Sequence, residues 1–81
     1  MEMVAVEWLD STAYDGWLQA EKTDFKSHAI HTVGLLVHED AAVLVVSTSY
    51  DADAERFMDP LAIPKCAIVK QESVKIIRLK K

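Results

Sequence analysis

The chain reads as a mainly β protein in which five short strands form one strongly bent sheet that closes into a small barrel, with a short helix or an ordered loop near residues 17–25. Three observations carry this expectation. Residues 34–51 contain two aliphatic, β-branched runs separated by His38-Glu39-Asp40-Ala41, the pattern of two antiparallel strands joined by a tight polar turn. Val43-Leu44-Val45-Val46 is apolar at every position, as in a strand covered on both faces. Gly34 interrupts the middle of a strand, where glycine marks a bulge, a sharp bend or a close backbone approach.

In chain order, Met3 to Asp10 alternates, with Val4, Val6 and Trp8 on one side, and predicts a first strand. Asp15-Gly16 signals a turn. Trp17, Leu18, Glu21 and Phe25 then recur at spacings that fit one face of a short helix, and an ordered loop packed through its aromatics is the competing reading. A second strand runs from His28 to Glu39, with Ile30, Thr32, Gly34, Leu36 and His38 on one side and Ala29, His31, Val33, Leu35 and Val37 on the other. The third spans Ala42 to Tyr50 and ends in the acidic loop Asp51-Ala52-Asp53-Ala54-Glu55. Phe57 to Ile63 predicts a fourth strand, interrupted by Pro60, which removes a ladder donor and points to an edge or a bulge. Cys66 to Lys70 and Val74 to Leu79 predict a fifth, either continuous or broken at Gln71-Glu72-Ser73. No repeat or linker divides the chain, so one domain is expected over residues 1–81.

A core of this size is marginal by area. At 51% hydrophobic residues, the chain has more apolar side chains than so small a core needs, which predicts that some face a partner subunit. The single cysteine, Cys66, excludes an intramolecular disulfide and a cysteine metal cluster, and a cytoplasmic, reducing setting follows as the default. The start Met1-Glu2-Met3 lacks the basic region of a secretory signal, and no apolar run approaches the roughly 20 residues of a spanning helix, so no membrane partner is expected. The net charge of −4 hides a split. Through Pro64, Lys22, Lys26 and Arg56 face twelve acidic residues, whereas from Lys65 onward Lys65, Lys70, Lys75, Arg78, Lys80 and Lys81 face only Glu72. Such a split marks either an anion-binding surface or complementary edges that meet between subunits.

No catalytic constellation stands out, and neither an enzymatic activity nor a cofactor is expected. By parity His31 lies opposite both His28 and His38, so the three histidines cannot converge on a metal without a bulge. Ser47, Thr48 and Ser49 lack a nucleophile-elbow setting, and two glycines cannot make a phosphate loop. Cys66 reads as a small buried strand residue rather than a reactive thiol. The carboxylates of Glu39-Asp40 and of Asp51, Asp53 and Glu55 read as turn solvation; a calcium site in the second group would lack further ligands and the loop glycine. Trp8, Tyr14, Trp17, Phe25, Tyr50 and Phe57 offer stacking surfaces, but a core this small claims most of them for structure.

Gly34-x-Leu36-x-x-x-Asp40-x-x-Val43-Leu44 resembles the first motif of Sm and Sm-like proteins, and Ile63-Pro64-Lys65-Cys66-Ala67-Ile68 occupies the place of their second. Lys65-Cys66-Ala67-Ile68 also resembles the Lys-His-Ala-Ile of the bacterial Hfq variant. The likeness covers about residues 30–79. It implies an Sm-like or SH3-like barrel and a homo-oligomeric ring that pairs the fourth strand of one subunit with the fifth of the next. It also implies single-stranded RNA or DNA held near Asp40, Lys65, Lys70 and His38. Leu44 stands where the family has asparagine, and Pro64-Lys65 where it has arginine and glycine, so the family's uridine pocket is not expected here. The segment 13–27 also departs, because the family carries its helix before the first strand. Gly16-Trp17, residues 34–37 and 63–65 further resemble small phage-encoded proteins. The rival reading is a structural or protein-interaction module that binds no nucleic acid, which the acidic body favours.

Overall fold

The computed structural model describes residues 2–74. More than half of them lie in strands: β1 (Met3–Asp10), β2 (His28–Glu39), β3 (Val43–Ser47), β4 (Tyr50–Asp51), β5 (Arg56–Phe57), β6 (Leu61–Pro64) and β7 (Ile68–Val74). Five form one antiparallel sheet in the order β6-β3-β2-β1-β7, and β4 with β5 makes a separate two-stranded ribbon. The bounds of β1 and β2 are those the alternation predicts, and the two strands pair along the whole of β1, from Met3 opposite Leu35 to Asp10 opposite His28.

The apolar side of this sheet is the core. Val4, Val6, Leu44, Val46 and Ile63 are buried, and Trp8, Leu36 and Ile68 pack against them. The expected grouping of Val4, Val6 and Trp8 is therefore the one found. Trp8 lies at the margin, where its indole Nε1 donates to Thr32 Oγ1 at 3.0 Å, so the ring is partly buried without orphaning its N–H.

The sheet is curled but not closed. Its two edges, β6 and β7, are joined by a single 3-10 turn, Lys65–Ala67. Four Cα steps from Pro64 to Ile68 reach about 14 Å at most. The edges of a flat five-stranded sheet lie about 19 Å apart. The connection is thus too short for a flat sheet, yet β6 and β7 share no ladder among the described residues. Two register shifts, between Leu36 and His38 on β2 and between Glu7 and Trp8 on β1, supply local bending. Gly34 answers to the third of its expected roles, close approach: a Cβ there would lie 2.8 Å from the Ser47 carbonyl oxygen and 3.3 Å from Val46 Cβ. The bulge itself falls two residues later.

Several expected elements are corrected. Of the two readings of residues 17–25 the ordered loop is the one found, with one 3-10 turn, Ala20–Lys22, that buries no side chain, so no apolar face is available to stabilise a longer helix. Strand three ends at Ser47, because the buried Ser47 hydroxyl turns to the carbonyls of Met58 (2.6 Å) and Ser49 (3.0 Å) and opens the ribbon. The expected fourth strand splits at Pro60: Arg56–Phe57 pairs back with β4, and Leu61–Pro64 pairs with β3. Cys66 is not a buried strand residue but an exposed one in the 3-10 turn. Gln71-Glu72-Ser73 does not break β7, since these residues pair with Val6, Ala5 and Val4. The part of the fifth strand expected over residues 75–79 lies outside the described residues.

Two substitutions test this packing. Gly34→Ala should cost about 1–3 kcal/mol, because the new methyl meets backbone rather than a movable side chain. Leu44 is fully buried; Leu44→Ala should cost about 2–5 kcal/mol, and Leu44→Asn more, since an unpaired amide would enter the core. Urea unfolding of the purified variants measures both.

Candidate functional site

The turn between β2 and β3 is built by one side chain. Asp40 Oδ1 accepts hydrogen bonds from the backbone N–H groups of Ala42 at 2.8 Å and Val43 at 2.9 Å, while the Asp40 N–H donates to the Val43 carbonyl at 3.0 Å. This is the local reason that aspartate suits the position: its short carboxylate satisfies donors that a tight turn leaves free. The other carboxylate oxygen, Oδ2, lies 2.7 Å from His38 Nε2, so the proton of this contact sits on Nε2. The His38 ring and the N–H groups of Val43 and Ala42 hold the Asp40 carboxyl down to about 2 from its ordinary 3.8.

Of the four residues singled out from the sequence, three gather at this end of the sheet. His38 and Asp40 touch, and Lys65 joins them through its backbone, whose N–H donates to the Ala42 carbonyl at 2.9 Å. Lys70 is elsewhere. It lies on β7 opposite Glu7, on the sheet face away from the core, with its Nζ 3.1 Å from Glu72 Oε1.

The bulge after Leu36 changes the faces of the strand end. Leu36 pairs with Val46, but the next pairs are His38 with Val45 and Glu39 with Leu44. His38 therefore moves to the outer face, the side of His31, and Glu39 turns to the core side. The expected parity of His38 is corrected by this extra residue. The two histidines remain seven positions apart, and no group of three metal-ligating side chains occurs among the described residues.

Glu39, read from the sequence as turn solvation, is the central group. Its Oε2 accepts from Lys65 Nζ and from Gln71 Nε2, the latter at 3.1 Å. Lys65 follows β6 and Gln71 belongs to β7, so one carboxylate connects the two edges that backbone pairing leaves apart. Lys65, then Gln71, pull the Glu39 carboxyl below the usual carboxylate range. No feature of composition marks this role, because the partners lie 26 and 32 positions away.

The electrostatics of the region follow from these pairs. Lys65 faces Glu39, Lys70 faces Glu72, Lys26 faces Asp24 at 3.5 Å, and Arg56 faces Asp51 at 3.4 Å. A phosphate arriving at Lys65 or Lys70 would have to compete with a carboxylate already in place. Such half-exposed pairs hold with little energy, so the competition is one of charge balance rather than of strength. In the acidic loop, Asp51 Oδ1 accepts from the N–H groups of Asp53 (3.1 Å) and Ala54 (3.3 Å), which is turn chemistry. On the outer face, Ala5, Glu7, His31, Val33 and Lys70 line a concavity of about 280 Å³, with Glu7 Oε1 3.5 Å from His31 Nε2.

A carboxyl whose acidity is raised by folding stabilises the fold above its ordinary value and ceases to do so as the pH falls toward its folded value. For Asp40 that window runs from about pH 4 down to pH 2. Asp40→Asn keeps an oxygen acceptor for the turn but should flatten the fall in melting temperature across this window. Asp40→Ala should flatten it and also lower the melting temperature at neutral pH. Thermal unfolding followed by circular dichroism at stepped pH separates the two.

Compared with known proteins, the chain matches no family model, no curated protein and no solved structure.

Proposed function

We propose that this chain is a non-catalytic β module that assembles with copies of itself through the open edges of its sheet. The observation that carries the reading is the pair of free edges. β6 and β7 end the five-stranded sheet, share no ladder among the described residues, and leave a row of backbone groups unpaired on each side. An open edge is a template for another strand unless it is blunted. Pro60 and Pro64 limit β6 to four residues, but β7 runs for seven, and the apolar side chains of Leu61 and Val69 are exposed at the two edges. The resemblance to Sm-like barrels supports the same arrangement, since those rings pair a fourth strand with a fifth across subunits, and β6 and β7 are the fourth and fifth strands of this sheet. A second copy would then complete the barrel-like closure that one chain leaves open.

Light scattering on the chromatographed protein tests the reading. The expected mass is a multiple of the 9.1 kDa chain, reduced by Val69→Lys, which places a charge at the β7 edge. A mass that stays monomeric throughout the micromolar range overturns it.

A second reading, single-stranded RNA or DNA held near His38, Asp40, Lys65 and Lys70, is favoured by the basic run that begins at Lys65. Gel shifts with uridine-rich RNA and mixed-sequence DNA should then weaken steeply as salt rises, in proportion to the phosphates neutralised. No shift at low salt removes this reading and leaves the assembly module standing.

A further inference from the structure

Residues 11–27 form an arm that leaves β1 after Asp10 and returns into β2 at His28. The arm has an internal structure of its own. The Tyr14 and Phe25 rings meet edge to face with centroids 5.1 Å apart, and the Tyr14 hydroxyl bridges the outgoing and returning limbs of the arm, accepting from the Lys26 N–H at 3.2 Å and donating to the Asp24 carbonyl at 3.4 Å. The Thr23 hydroxyl donates to the Gln19 carbonyl at 2.8 Å. Within this frame only Thr12 and Thr23 are even half-buried. Trp17 is exposed to its full surface, 103% of the reference, and Tyr14, Leu18 and Phe25 of the same arm are exposed as well. Large apolar side chains left without cover on one arm, two of them ordered against each other, are the mark of an interaction surface.

The charge around the arm selects its partner. Lys26 is 3.5 Å from Asp24, and with that pair set aside Asp10, Asp15 and Glu21 face Lys22. The fitting partner is therefore a segment that combines aliphatic side chains with positive charge. The chain carries such a segment beyond its described end: Lys75-Ile76-Ile77-Arg78-Leu79-Lys80-Lys81 has four cations, three aliphatic residues and no acid. Aliphatic side chains would cover the Trp17 and Phe25 rings, and cations over ring faces and beside Asp15 and Glu21 would add attraction.

Chain length decides which copy supplies it. The described chain ends at Val74, paired with Met3, at the end of the sheet opposite the arm. Asp10, where the arm begins, lies seven residues along β1 from Met3, about 24 Å away. Seven residues stretched to the limit reach about 25 Å, so the segment would be exhausted at the base of the arm. We infer that the aromatic arm of one copy receives the basic segment 75–81 of a second copy. This contact is separate from edge pairing and does not rest on it.

Trp17 fluorescence in the full-length protein tests the inference, with Trp17→Ala subtracting the Trp8 signal. Acrylamide quenching of Trp17 should at least halve as protein concentration rises, and should return when salt is added or in Arg78→Glu/Lys80→Glu. Mixing that double variant, whose arm is intact, with Trp17→Ala, whose segment is intact, should restore the protection. Val69→Lys should leave it unchanged, which separates this contact from pairing at the β7 edge. Quenching that never changes with concentration overturns the inference, as does protection already complete at the lowest concentration, which would place the segment on its own arm. Protection that persists in the double variant overturns it as well, because another surface would then be covering Trp17.

Discussion

The geometry of this small protein follows from one constraint, the three-residue turn that carries the chain from one edge of the sheet to the other. Lys65–Ala67 is all that lies between β6 and β7, although three strands separate them in the sheet. The connection forces the sheet to curl, and the register shifts at Leu36 to His38 and Glu7 to Trp8 provide local bending, while Gly34 lets β2 approach β3 closely. Curling in turn creates the core, because it brings Ile63 of β6 and Ile68 of β7 around Leu44, Val4 and Val6. The same bend leaves a seam. Among the described residues no ladder spans it, and the Glu39 carboxylate, holding Lys65 and Gln71, is a side-chain contact across it.

Polar chemistry in the described residues is largely spent on the structure itself. Asp40 and Asp51 each fold a turn by accepting two backbone N–H groups. Ser47 is the buried polar residue at the exit of β3, and its hydroxyl ties the ribbon to the sheet through Met58. Lys26, Arg56, Lys65 and Lys70 each have a carboxylate within reach. What remains unspent is apolar and backbone surface: the aromatic arm, the outer face around Val33, and the two sheet edges. These ion pairs leave the net charge of −4 in place, so acidic side chains remain alongside that apolar and backbone surface.

The bounds of the two longest strands were legible in the sequence. Met3–Asp10 and His28–Glu39 end where the apolar and polar positions stop alternating, and Val4, Val6 and Trp8 lie on the side that pattern assigns them. The turn at Asp40 was legible for the same reason, since its chemistry involves the next three residues only. The arm was not legible as a loop rather than a helix, because Trp17, Leu18 and Phe25 have helical spacing but no surface to pack on. Cys66 was misplaced because a turn of three residues between two apolar strands looks, in sequence, like the start of the second strand.

The candidate site divides along the same line. By itself the sequence determined where β1, β2 and the turn at Asp40 form, since a period of two and an aspartate at a turn are properties of neighbouring residues. It also determined that basic residues concentrate after Pro64. Only the tertiary structure decided that His38 faces outward and Glu39 inward, because one extra residue in a strand reverses every face beyond it. Only the tertiary structure decided that Lys65 is held by Glu39 and that Lys70 lies apart from both, because those contacts join residues far apart in the chain that meet only when the sheet curls.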